Sequence, residues 1–276
     1  MSLAGLHIVR HHVDTAGLPV VIVHGAPDRS KNFAHVVHML NDMPVTVYDR
    51  RGYGRSIPAG VGADGELRGG FAVHADDLIE LLDGRPSVVV GQSAGGAVAM
   101  LAATKAPELF AALGVWEPPM VPWEWWAGPE AFVGMMEMMS PDAAEMAEAF
   151  NRRMIGDERW EGLRDATRAM LLAEGPAFQA DLACQVRQYF DLDHLKVPMV
   201  LGWANDVGQD MPDHLRGASR RLSEHCAAET FMVEGANHFA HTGRPDIWAE
   251  LVRRNRRPRQ PVAAVMGIGS IVSVFR

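Results

Sequence analysis

Short apolar runs, such as Val20-Val21-Ile22-Val23, Val88-Val89-Val90 and Met199-Val200-Leu201, recur along this chain between stretches whose apolar positions repeat at helical spacing. A run without polar alternation fits a strand covered on both faces, and helical spacing fits an element with one wet face. The pattern predicts strands at about 20–24, 44–48, 87–91, 112–116, 197–202 and 229–234, and helices at about 32–41, 71–83, 94–105 and 245–254. Such alternation calls for an α/β architecture, a mostly parallel sheet with helices on both faces. Between Pro118 and Leu195 the strand-like runs stop and helical stretches take over, with a cluster of Trp123, Trp125, Trp126, Phe132, Met135, Met136, Met138 and Met139. No internal repeat is visible.

One junction carries chemistry. Gly91-Gln92-Ser93-Ala94-Gly95 follows the strand at 87–91 and opens directly onto the small-residue helix Gly96 to Ala103. A serine in so tight a strand-to-helix turn is forced into a strained backbone, and the flanking glycines leave room where a Cβ would collide. Ser93 is therefore a candidate nucleophile. A serine hydroxyl needs a base, and the base needs a carboxylate to orient it. Phe231 to Glu234 reads as a strand, and the following Gly235-Ala236-Asn237-His238-Phe239 loop would bring His238 to the same sheet edge. His241, three residues on, is the competing base.

Four segments together resemble the α/β-hydrolase family: His24-Gly25-Ala26-Pro27, then Tyr48 to Ser56 (Tyr-Asp-Arg-Arg-Gly-Tyr-Gly-Arg-Ser), then Gly91 to Gly96, and Gly235 to Phe239. They occur in the family's order and span about residues 18 to 250. The resemblance implies an α/β-hydrolase fold with residues 1–117 and 196–254 as core, 118–195 as a helical cap, and 255–276 as a tail without an assigned role. It also implies an oxyanion hole from the N–H groups of Ala26 and Ala94, and a bracing role for Asp49 and Arg51 in loops near the site. For the triad acid it leaves two candidates. Asp206 follows the strand at 197–202, one residue later than the family's usual spacing. Glu117 ends the strand at 112–116, immediately before Pro118-Pro119, where some family members place the acid. A glutamate between an apolar strand and a double proline is hard to explain as solvated decoration, and Glu117 is preferred.

The implied activity is hydrolysis of an ester or lactone of a hydrophobic small molecule, with Trp125, Trp126 and Met136 as substrate-binding candidates. Serine at the elbow disfavours epoxide and haloalkane chemistry. Carbon–carbon bond hydrolysis, cofactor-free perhydrolysis and a ligand receptor without turnover stay open.

Composition bounds this reading. The chain's 276 residues, 48% of them hydrophobic, suffice for one α/β core with an insertion. A net charge of −8 disfavours nucleic acid or an anionic membrane as the main partner. Cys184 and Cys226 form no disulfide framework, and the N-terminal segment lacks the pattern of a secretion signal, so a cytoplasmic enzyme is expected. Gly52-Tyr53-Gly54 lacks the last glycine of a dinucleotide fingerprint, and His35 with His38 lack a carboxylate to complete a ligand set. No cofactor and no metal are expected. The basic run Arg253 to Arg259 and the apolar tail after it are too short to span a bilayer as a helix. The tail is expected to pack on its own domain or on a second copy, which leaves a homo-oligomer open.

Overall fold

The computed structural model describes residues 3–62, 64–65, 67–120, 140–185, 191–205 and 212–257, with backbone alone for 212–216. Seven strands, β1 (Ile8–His11), β2 (Val20–Val23), β3 (Val45–Tyr48), β4 (Ser87–Gln92), β5 (Phe110–Trp116), β6 (Met199–Ala204) and β7 (Glu229–Val233), form one sheet in the order β1-β3-β2-β4-β5-β6-β7. Only β1 runs antiparallel to its neighbour. The helices are α1 (Ala34–Met39), α2 (Phe71–Leu82), α3 (Ala94–Lys105), α4 (Ala143–Ile155), α5 (Asp157–Glu161), α6 (Asp165–Ala173), α7 (Gly175–Gln185), α8 (Pro212–His225), α9 (Ala240–Gly243) and α10 (Pro245–Arg256).

The apolar runs are buried on both faces, as their lack of alternation requires. Val21, Val23, Val89, Leu113, Val115 and Leu201 belong to one core with residues of α2, α3 and α8. The intervening Val20, Ile22, Val88, Val90, Ala112 and Val200 belong to another, with Val36, Val37, Trp248, Leu251 and Val252. Each of β2, β4, β5 and β6 thus feeds two cores at a period of two, and the helices divide between the faces.

Two elements depart from the sequence pattern. β1 was not among the expected strands, because Ile8-Val9-Arg10-His11 is an edge strand covered only in part. The helix expected at 32–41 is instead a 3-10 turn, Ser30–Phe33, running into α1. The insertion between β5 and β6 supplies α4 to α7, with a small core of Met146, Phe178 and Leu182 against which Ala26 packs. Trp125, Trp126 and Met136 lie outside the described residues, as do Asp206 and the tail from 258. Among the described residues no helix is long and apolar enough to cross a membrane.

Helix α3 is buried along nearly its whole length and lies very close to the sheet. A Cβ on Gly95 would fall inside the van der Waals envelope of the Val23 and His24 carbonyl groups, and one on Gly91 would strike Gly95 and Gly96. Backbone cannot give way there as a flexible side chain could. Gly95→Ala is therefore expected to lower stability by about 1–3 kcal/mol through overpacking, read from denaturant unfolding. An unfolding midpoint equal to wild type would mean that the crossing of α3 over β2 is looser than described.

Candidate active site

Parallel register places the site. Gln92 pairs with Trp116, and Trp116 with Gly202, so the next residues of β4 and β5 are Ser93 and Glu117, side by side at the carboxyl edge. The Ser93 N–H donates to the Trp116 carbonyl at 2.8 Å, and the Glu117 N–H to the Gly202 carbonyl at 3.2 Å. Both residues have positive φ, 51° at Ser93 and 46° at Glu117, in a region that residues with a Cβ seldom occupy. Strain of this kind costs on the order of 1–3 kcal/mol per residue and persists where surrounding structure enforces it. Although Ser93 caps α3, its side chain makes no capping bond, and the hydroxyl is not spent on the helix.

Glu117 is buried, and both carboxylate oxygens are engaged. Oε1 accepts the Ala204 N–H at 2.8 Å, and Oε2 lies 2.7 Å from His238 Nδ1. A carboxylate oxygen accepts, so as a hydrogen bond this contact takes the Nδ1 proton of the imidazole. His238 follows β7 through the Gly235 turn and remains partly open to solvent, with its side chain 14% exposed. Among the described residues Ser93 Oγ has no hydrogen bond to His238. Ser93, Glu117 and His238 share one sheet edge. Asp206 lies outside the described residues, so the structure compares it with Glu117 in no way.

The competing histidine is placed elsewhere. His241 is buried, stacks on Phe33 with ring centroids 4.4 Å apart, and places Nε2 2.9 Å from Asp28 Oδ2. Burial works against ionisation of Asp28, yet His241 and Asn32 hold its carboxyl down at about 2. This pair braces the loop after β2.

That loop is pinned from several sides. His24 Nδ1 lies 2.7 Å from the Gly25 carbonyl, while Nε2 accepts the Arg50 N–H at 2.8 Å, which sets the neutral tautomer. Burial, and then the Arg50 guanidinium, push the His24 imidazole down to about 3. The Arg50 side chain is fully buried, donates to the carbonyls of His24 and Gly25 at 3.0 and 2.9 Å, and pairs with Asp181 of α7 at 2.8 Å. Between this loop and the His238 loop stands Gln92. Its Oε1 accepts the Gly25 N–H at 3.0 Å, and its Nε2 donates to the His238 carbonyl at 3.3 Å. The N–H groups of Ala26 and Ala94 donate to no acceptor among the described residues.

Asp49 and Arg51 hold loops together. Asp49 accepts the N–H groups of Ser30 and Arg55 at 2.7 and 2.8 Å, and Arg51 forms a two-pronged pair with Asp77. Arg50 and Gln92 were missed by the sequence reading. The only local signal for Gln92 was its place before the nucleophile candidate at the end of a buried strand.

A model of the alpha/beta hydrolase family matches residues 20–251. The chain belongs to that family. Among curated proteins, Lipase LipV of Mycobacterium tuberculosis is 32% identical over 116 residues, 41% of each chain. The match therefore spans about two fifths of that relative's length. Among solved structures this α/β-hydrolase resembles a thermophilic esterase from Thermogutta terrifontis (21% identity, TM-score 0.61, covering 90% of this chain and 92% of that one). It also resembles an enol-lactonase from Burkholderia xenovorans LB400 (18% identity, TM-score 0.61, 90% and 95% covered). At these identities the likeness speaks for the fold.

A second buried carboxylate ties the β5–β6 insertion to this α/β-hydrolase's sheet. Glu174, between α6 and α7, pairs with Arg29 at 2.9 Å and accepts the Gly54 N–H at 2.9 Å. Burial outweighs both and pushes its carboxyl up to about 7 from an ordinary 4.5. The folded chain then keeps a proton that the unfolded chain has lost, so this residue's contribution to stability falls as pH rises between those values. Glu174→Gln is expected to remove that decline, gaining on wild type between about pH 5 and about pH 8 in denaturant titrations. A difference between the two proteins that does not change with pH would contradict the raised value.

Proposed function

We propose that the chain is a serine hydrolase that cleaves an ester or lactone of a hydrophobic small molecule through an acyl-enzyme. The observation that carries this reading is the 2.7 Å contact between Glu117 Oε2 and His238 Nδ1, at the sheet edge where Ser93 occupies its strained turn. Ser93 Oγ attacks the carbonyl carbon as its proton passes to His238 Nε2. Glu117 stabilises the imidazolium that forms, and the oxyanion is held by the N–H groups of Ala26 and Ala94. On collapse, His238 returns the proton to the departing alkoxide and leaves Ser93 acylated. Water then loses a proton to His238 and attacks the acyl carbon, and on collapse His238 returns that proton to Ser93 Oγ as the acid leaves.

Catalytic hydrogen bonds commonly tighten in the complex with substrate, and the bond from Ser93 Oγ to His238 Nε2 is expected to form there. Preference for an apolar substrate rests on the Trp- and Met-rich segment 123–139, read as part of a helical cap. The names lipase, esterase and lactonase among the similar proteins support hydrolysis of an ester or lactone.

The test is a panel of p-nitrophenyl esters and lactones together with a fluorophosphonate probe. Wild type should take up one probe and hydrolyse the panel, while Ser93→Ala should lose the label and about 10³-fold or more of kcat. Hydrolysis by Ser93→Ala at the wild-type rate would remove Ser93 as nucleophile.

The acid is tested separately. Glu117→Gln is expected to lose about 10²- to 10⁴-fold of kcat, because an amide cannot stabilise the imidazolium and can favour the wrong tautomer. Asp206→Asn should stay within about 3-fold of wild type. The reverse ranking would make Asp206 the acid.

A further inference from the structure

A groove of about 560 Å³ lies between β1, with Val47 of β3, and the segment running from Arg29 through α1. That is a ligand-sized volume, yet neither Ser93, Glu117 nor His238 lines it. Its walls are divided by chemistry. Val9, Val37 and Val47 make an apolar floor, and Met170 of α6 closes one side. At the end nearest the carboxyl edge stand Lys31 and Arg55, with Arg55 Nη1 3.5 Å from His7 Nε2.

Charge in the groove runs against that of the whole chain, which carries −8. Three lining residues are permanent cations, Arg29, Lys31 and Arg55, and Asp49 is the single lining carboxylate. Both Asp49 oxygens are taken by the N–H groups of Ser30 and Arg55, and Arg29 is engaged with Glu174. Lys31 and Arg55 are exposed, and among the described residues no carboxylate lies within ion-pair distance of either. Two unpaired cations above an apolar floor concentrate anions locally, and the floor offers an apolar body a place to shed water.

We infer that this groove is a second ligand site, which takes an amphipathic anion with its carboxylate or phosphate head between Lys31 and Arg55 and its apolar body on Val9, Val37 and Val47. The site is separate from the serine centre and does not depend on its chemistry.

Calorimetric titration of the full chain with octanoate, octyl phosphate and 1-octanol tests this. The two anions should bind, the neutral alcohol about 10-fold more weakly or worse, and the stronger anion identifies the head. Lys31→Glu with Arg55→Glu should weaken both anions by about 10-fold or more while leaving the alcohol unchanged. Ala34→Phe, which fills the groove, should weaken all three ligands. Should the double charge reversal lower the unfolding midpoint, the Lys31→Gln, Arg55→Gln pair reads out the same effect. Anions that bind no better than octanol, or that are indifferent to both the charge changes and Ala34→Phe, would overturn the site.

Discussion

The parallel pairing of β4 with β5 is the constraint from which the rest of the carboxyl edge follows. The Ser93 N–H to Trp116 carbonyl bond carries that pairing one residue beyond the strands, and it holds Ser93 beside Glu117. Register in a sheet buried on both faces is strongly specified, since a one-residue slip would send every side chain to the wrong core. The two residues thereby inherit their positions from Val88, Val89 and Val90 and from Ala112 and Leu113, which have no chemistry of their own. Positive φ at both Ser93 and Glu117 is the local cost of leaving the sheet in one step, and the close approach of α3 at Gly91 and Gly95 makes that step possible.

Around this edge the loops are fixed by buried polar groups rather than by apolar packing. Arg50, His24, Gln92, Asp28 and Glu174 are all buried, and each engages backbone or side chains of a distant segment. A buried ion pair such as Arg50–Asp181 contributes little net stability, but removal of one partner strands the other and is strongly destabilising. Their effect is geometric. Arg50 joins the loop after β2 to Asp181 of the insertion, and Gln92 joins the same loop to His238, so the candidate oxyanion donors and the candidate base share one scaffold.

The centre of the sheet was legible because β2, β4, β5 and β6 are built on apolar runs. Edge strand β1 was not, since a short and half-covered strand carries no such run. Ser93 announced itself through its turn, and Glu117 through the anomaly of a charge between an apolar strand and two prolines. The supporting groups could not be found in that way. Arg50 and Asp181 lie 131 positions apart, and Arg29 and Glu174 lie 145 apart, so nothing local to either residue reports its partner. The groove beside β1 was equally invisible, because the residues lining it come from four separate segments of the chain.

Proton NMR reads directly whether Glu117 holds the proton on His238 Nδ1. Wild type labelled with ¹⁵N-histidine should give one far-downfield imidazole N–H resonance, correlated with the nitrogen of His238 and moved upfield or lost in Glu117→Gln. An identical resonance in Glu117→Gln, or one that disappears in Asp206→Asn instead, would mean that Glu117 does not hold this proton.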